Sequence, residues 1–477
     1  MSVTSVSWGR EEDSGAYARH LAAVNEQIRV RASNDVYSVH GVLICRSGSS
    51  IDYETAKKIV RHKLTVPLDA NVELEQAVTA TGIQRRLEGF LETFSDLRML
   101  QATHDFEPIF RKAVTKRDLP KLVAQKLTVM QVRKPLLFEQ TVVGAWLACM
   151  LGWKMGLSEP ELALLALAAL SRDVGMLHVD PTLLERPDKH LLDPDDWKAI
   201  QSHVIASHMI LSECEGIPDR VLAAVIQHHE RVDGTGYPAH LCRDDLEPMG
   251  QMLAVADTLT AVRLRTFAGS GRNVRDALAI LSIESDACRY DVISAAVSLI
   301  RAAPIKPSTF HAFETKEALT RALHRRARAM VSFSNMLEDM PNLVPIDGAQ
   351  LEPVILTTNI ERLSLTMCRS GLSDPELVKW LHVMMDGKLT PNLAELVQID
   401  LQQRELLWQL ERLYTNLSAW AERKKMRARS PVQLMLERMR QTLDALQNDA
   451  LVVDAQTSED SEMGYGEAFL EDETAVV

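Results

Sequence analysis

The chain has 477 residues, 46% hydrophobic and 25% charged, so length and composition predict an ordinary globular protein of two or three domains, each with its own core. A net charge of −12 argues against a broad footprint on a nucleic-acid backbone, although a local basic pocket stays open. Six cysteines, Cys45, Cys149, Cys214, Cys242, Cys288 and Cys368, lie far apart without a C-x-x-C pair, which speaks against a zinc ribbon or disulfide framework and for the reduced cytoplasm.

Residues 1–33 are polar and lack an apolar h-region, which predicts a flexible N-terminus or one frayed helix and no secretory signal. A small α+β domain is expected over 34–75. Val36, Tyr37, Val39 and Val42-Leu43-Ile44 read as two short strands, with turns at Gly41 and Ser47 to Ser50; Asp52 to His62 reads as a helix, and Val66 to Leu74 as a return strand broken by Pro67. Connector helices are predicted over 76–130, where Leu87, Phe90, Leu91, Phe94 and Leu97 recur three and four apart; they either pack on their neighbours or act as a relay or dimer helix.

The region 131–304 predicts an all-α bundle. Gln140 to Gly156 ends at a glycine, Ser158-x-x-Glu161 is a capping box, and Asp193-Pro194 opens a helix to about Leu211. Glu161 to Leu170 and Gln251 to Val262 are apolar nearly all round, as buried helices are. The most apolar run, Val142 to Trp153, meets Lys154 before it is long enough to span a bilayer, so no membrane segment is expected. Asp219 is expected to cap a helix over Val221 to Gln227, which ends at the adjacent His228 and His229. Directly after them, Asp233-Gly234-Thr235-Gly236-Tyr237-Pro238 forces a turn.

A C-terminal helical region is expected over 305–450. Leu406, Leu410, Leu413, Leu417 and Trp420 form one stripe, and Val432, Leu436, Met439, Leu443 and Leu446 form another. They predict an antiparallel hairpin within the chain or a coiled coil with a partner, a homodimer included. The basic run Arg423 to Arg429 reads as their solvated connection, with anion binding as the alternative, and the acidic tail 451–477 as disordered. The fold class is therefore mainly α, with a small N-terminal α+β region and a C-terminal helical region.

The eleven-residue string from His228 to Pro238 resembles the signature of the HD-GYP family, a branch of the HD-domain metal phosphohydrolases whose active members hydrolyse the bacterial second messenger cyclic di-GMP. The resemblance covers about residues 130 to 300. It implies an HD-type bundle and a metal pair whose ligands come in order from a helix His, a His-Asp doublet, a lone His, a His-His doublet and a later Asp. On that pattern Asp173 corresponds to the bridging and, in an active enzyme, catalytic carboxylate; His203, His228, His229 and Asp257 are the further metal ligands. Asp233, Gly234, Gly236, Tyr237 and Pro238 become a substrate or interaction loop.

Three positions depart from the family. Gln140 replaces the helix His, Arg172 the His of the doublet, and Met176 a lysine that contacts phosphate. Arg263 to Ala268 is only loosely similar to the family's Arg-Pro-Tyr-Arg-like stretch. Arginine cannot ligate a metal, since its guanidinium stays protonated. The expectation is thus at most one transition metal, such as Mn or Fe, with Arg172 pairing with Asp257 or Asp173 where the other ion would sit. Such a degenerate site implies a cyclic di-GMP-related signalling protein, a regulatory or docking module with weak or no catalysis and protein partners at the GYP loop or C-terminal helices. The alternatives are a metal-dependent phosphodiesterase yielding pGpG and GMP, and a nucleotide sensor without turnover. No nucleic acid and no membrane are expected as partners.

Overall fold

Tyr17, Ala18, Leu21 and Val24 recur three and four residues apart, so helix α1 (Asp13–Val24) buries them as one stripe. In this computed structural model the structure describes residues 13–184, 194–269, 271–283, 287–306, 315–344, 351–387, 392–427 and 429–457. The expected flexible N-terminus is therefore corrected for 13–33, because its apolar stripe has a core to join; residues 1–12 lie outside the described residues.

Four short strands follow, β1 (Val30–Ala32), β2 (Val36–Tyr37), β3 (Leu43–Cys45) and, after helix α2 (Tyr53–Val60), β4 (Val72–Leu74). β2 pairs antiparallel with β3, and β1 with β4, Val30 opposite Leu74. Asp52 caps α2 by accepting the Thr55 amide at 2.8 Å. The expected strand from Val66 shrinks to β4, because Pro67 has no amide to give a ladder and instead heads a 3-10 turn, Leu68–Asn71.

Helices α3 (Ala80–Thr93), α4 (Ser95–Thr103), α5 (Glu107–Thr115) and α6 (Lys121–Arg133) lead to α7 (Pro135–Lys154). Leu87, Leu91 and Leu97 are buried, and α3 packs on α5 and α7, so the stripe read from the sequence is spent on neighbours in the chain. By length and composition α7 could cross a membrane, and it is longer than expected since it starts at Pro135; yet 78% of its most apolar window is buried. It runs between α8 (Glu159–Ser171) and a later helix, Pro248–Ala261. The capping box at the head of α8 is present: the Glu161 carboxylate accepts from the Ser158 amide at 2.9 Å and the Ser158 hydroxyl at 2.7 Å.

The domain continues through α9 (Pro181–Leu184), α10 (Pro194–Gln201), α11 (His203–Ser212), α12 (Asp219–Ile226), α13 (Pro248–Ala261), α14 (Ala277–Ile283) and α15 (Tyr290–Ala302). The single helix expected up to Leu211 breaks at Ser202. There the Ser202 hydroxyl donates to the Ala199 carbonyl at 2.6 Å and His203 Nδ1 lies 2.8 Å from the Ile200 carbonyl, so side chains take acceptors of the last turn. Asp193, the expected opener, lies outside the described residues. Asp219 does not cap α12: it is the first helical residue, and Pro218 stands at the cap without a side-chain bond.

α16 (Lys316–Asp339), α17 (Leu351–Ser370), α18 (Pro375–Met385), α19 (Leu393–Arg423) and α20 (Pro431–Thr457) are the last helices among the described residues. Both leucine-rich stripes are buried in one C-terminal core where α19 packs on α20, with Leu446 half-buried against it, which makes them a hairpin within the chain. The run from Arg423 joins the two helices; Ala428 lies outside the described residues. α20 carries on past the expected tail boundary to Thr457, and 458–477 lie outside the described residues.

Candidate metal centre

Asp173 stands where α8 gives way to a 3-10 turn, Val174–Leu177. That turn lies tight against α11: a Cβ on Gly175 would collide with the His203 carbonyl, and the Gly175 amide donates to Ser207 Oγ at 2.9 Å. His203 opens α11, while His228 and His229 follow directly on α12. The structure brings Asp173, His203, His228 and His229 together, with one ligand atom of each lying within 4.8 Å of all the others. Asp173 Oδ1 is 3.6 Å from Nε2 of both His203 and His228.

The tautomers follow from the far sides of the rings. Nδ1 of His203 lies 2.8 Å from the Ile200 carbonyl and Nδ1 of His228 2.6 Å from the Val225 carbonyl, so each Nδ1–H donates outward and each Nε2 lone pair faces Asp173. Both Nε2 atoms are buried without a hydrogen-bond partner among the described residues. Burial pushes the His203 imidazole down to about 4, and burial with the neighbouring His228 and His203 holds His229 well below its usual value, so these rings are neutral at pH 7. Orphaned imidazole nitrogens converging on a carboxylate are the donor set of a divalent transition metal, and the four residues fit one ion.

Asp257, on α13, falls outside this cluster. Its Oδ1 instead accepts from Arg172 Nη2 at 2.9 Å, while Arg172 Nε lies 3.0 Å from Asp173 Oδ2 and Nη1 donates to the Ala169 carbonyl at 3.0 Å. Arg172 thus ties the two carboxylates together while almost wholly buried, its side chain 2% exposed. Burial opposes charge on both sides of the pair. Even so, Arg172 holds Asp173 well below the carboxylate range, and the two aspartates raise Arg172.

Room for the guanidinium comes from Gly144 on α7, where an added Cβ would lie 2.8 Å from Arg172 Nη2 and 2.9 Å from Nη1. One turn earlier on the same helix, the Gln140 side-chain Oε1 accepts from Arg265 Nη2 at 2.6 Å. Neither Gly144 nor this pairing was foreseen, though a glycine in an apolar helix one turn after Gln140 was a legible signal, since glycine weakens a helix unless space is needed. Arg263 forks onto Asp96 of α4 at 2.6 and 2.9 Å. Met176, buried, packs with Val179, Leu184 and Ile200, with Trp197 against that patch, so no cation stands at its position.

The loop after the histidines is fastened from below. Glu230, buried and unnoticed in the sequence, accepts the Ala239 amide at 2.6 Å and the Leu241 amide at 3.0 Å, and Asp233 accepts the Thr235 amide and hydroxyl at 3.0 and 2.6 Å. Gly234 has φ +77°, and a Cβ on Gly236 would strike the His229 carbonyl. Tyr237, joined to Pro238 by a cis peptide bond, stacks on His229 with ring centroids 4.8 Å apart. Burial, then Asp257 and Asp173, raises its phenol, which stays protonated beside the cluster.

An all-α bundle that gathers three histidines and an aspartate from helix junctions defines the class as an HD-type metal-site domain. Residues 123–292 match the family model described as HD domain. The phosphodiesterase 3 of Vibrio cholerae specific for 3'3'-cGAMP is 32% identical over 129 residues, 27% of this chain and 27% of that protein. A cyclic di-GMP phosphodiesterase of Pseudomonas aeruginosa is 26% identical over 201 residues, 41% of this chain and 48% of that protein, and one of Thermotoga maritima 32% over 119 residues, 24% and 32%. The matches span less than half the length of these relatives. With the GYP loop in place, the central domain belongs to the HD-GYP family.

Proposed function

We propose that the chain is a bacterial cyclic di-GMP-related signalling protein whose HD-GYP domain works as a regulatory module, taking up the cyclic dinucleotide with weak or no hydrolysis. The observation that supports this reading most is Arg172, a permanent cation that neutralises Asp173 and Asp257 together where the family pattern calls for a ligand. Asp173, His203, His228 and His229 would hold one transition metal such as Mn or Fe, which when bound supplies a Lewis acid for a phosphate oxygen. Arg172 keeps both carboxylates charge-balanced, Gln140 offers a neutral carbonyl that Arg265 already uses, and Met176 brings no charge to a phosphate. Tyr237 keeps its proton and can donate a hydrogen bond to the ligand. Protein partners would dock on the GYP loop or the C-terminal helices, where Trp408 and Leu434 are exposed.

The test is binding and turnover of cyclic di-GMP by the full chain loaded with Mn²⁺ or Fe²⁺, beside Asp173→Ala. Saturable binding with no hydrolysis above the Asp173→Ala control is expected. Rapid release of pGpG or GMP that Asp173→Ala abolishes would instead establish the phosphodiesterase reading, which the intact four-residue cluster favours.

A further inference from the structure

Helix α19 belongs to the C-terminal region, outside the HD domain match, yet it is anchored on the central domain. Its Asp400 meets Arg272 at 3.4 Å, and Gln402 donates to Ser282 Oγ at 2.8 Å. Leu406, Leu410, Leu413 and Leu417 bury one face of the helix in the C-terminal core. Trp408 and Arg412, one turn apart, share a different face, roughly 18 Å beyond Asp400 at the helical rise.

That face comes to lie on α10 of the HD domain. The Arg412 guanidinium is 5.4 Å from the ring centre of Trp197 on α10 and 4.8 Å from that of Trp408, so two indoles from two regions of the chain hold it as a cation over their faces. Trp197 rests on the apolar patch that contains Met176. The Arg412 charge also lowers the Tyr237 phenol slightly, and that ring stacks on His229. Arg412 itself is exposed.

The arginines closer in are committed elsewhere: Arg172 to the two aspartates, Arg263 to Asp96 and Arg265 to Gln140. A phosphodiester at the cluster would then meet an apolar surface where a cation is wanted, and Arg412 is stacked on Trp197 at the edge of that surface. A planar, permanently charged fork matches phosphate oxygens, and a stacked one has already lost much of its freedom.

We propose that Arg412, delivered by the C-terminal region onto Trp197, is a ligand-binding residue that contacts a phosphate of the cyclic dinucleotide in place of a cation at Met176. The inference rests on the proposed function above, and it makes the C-terminal helices part of the binding site. Arg412 would contribute to affinity and to the salt dependence of binding, but not to metal loading.

The experiment is calorimetric titration of the Mn²⁺-loaded full chain with cyclic di-GMP at several salt concentrations, for wild type, Arg412→Glu, Arg412→Lys, Asp173→Ala and the distant charge control Lys379→Glu. Arg412→Glu should bind ~10–100-fold more weakly with a shallower salt dependence, Arg412→Lys should fall between it and wild type because the charge stays while the stacked fork is lost, and Lys379→Glu should match wild type. Metal content and melting temperature should be unchanged in both Arg412 variants. Wild-type affinity in Arg412→Glu, with binding lost in Asp173→Ala, overturns the inference and leaves the functional reading standing. A loss in Arg412→Glu that comes with lost metal or a lowered melting temperature also overturns it, because the role is then structural. No binding by wild type overturns both.

Discussion

Replacing Arg172 by methionine, similar in length and uncharged, removes the cation while filling most of its space. Asp173, with its side chain 11% exposed, would be left charged beside His203 and His228, while Asp257, 31% exposed, regains part of its hydration from solvent. Removing one partner of a buried pair costs about 3–5 kcal/mol, more than the pair itself is worth, because the desolvated charge stays behind. In a domain of this size each kcal/mol moves the midpoint by roughly 2–4 °C, so calorimetry in chelator should place the central-domain transition of Arg172→Met about 6–20 °C below wild type. Excess Mn²⁺ should recover much of that difference, since the ion supplies the missing positive charge at Asp173. If Arg172→Met in chelator melts within a degree of wild type, the guanidinium does not neutralise the site and the reasoning fails.

Gly144→Ala drives a methyl group against the Arg172 guanidinium and should cost about 1–3 kcal/mol; in an Arg172→Ala background the penalty should vanish, as a double-mutant cycle by denaturant unfolding would show. His20 is buried on α1, and burial, then Lys134 and Arg133, lowers its imidazole to about 3. Between pH 6.5 and 3 the unfolded chain takes up a proton that the folded one refuses, so stability is full above about 6.5 and falls as pH drops, at up to about 1.4 kcal/mol per pH unit from this group; His20→Phe should flatten the profile of melting temperature between pH 7 and 5. Gln140→His with Arg172→His should gain a second metal by elemental analysis. Arg412 is proposed only to add affinity, so adding Met176→Lys beside the reacting phosphate should still be needed for clear turnover of cyclic di-GMP, a charged contact there being worth about 10²–10³ in rate; turnover equal in the double and triple variants would show that Met176 is not limiting.

Local chemistry carried much of this architecture in the open. The Ser158-x-x-Glu161 box, the turn glycines of the GYP loop and the leucine spacing of α19 and α20 each depend on neighbours a few residues away, so they are readable along the chain. Asp173, His203, His228 and His229 were recognisable by their order around that loop, and the structure draws them together. What stayed hidden depends on distant partners. α1 looks too polar to settle until its stripe meets a core that includes α6, where Gln125 donates to the Tyr17 hydroxyl at 3.0 Å and Lys126, fully buried, sits 3.2 Å over the Tyr17 ring. Nothing along the chain marks Glu230 until the loop folds back and presents the amides of Ala239 and Leu241. The break at Ser202 that aims His203 comes from side-chain donors competing for helix carbonyls, which hydrophobic spacing does not register.

The central claim is that Arg172 occupies the place of a second cation, and a crystal structure of anaerobically purified protein grown with Mn²⁺, with anomalous diffraction at the manganese edge, tests it most directly. One peak per chain, among Asp173, His203, His228 and His229, with the Arg172 guanidinium still between Asp173 and Asp257, is the predicted result. Two peaks bridged by Asp173, with Arg172 swung away and Asp257 on the metal, would contradict it.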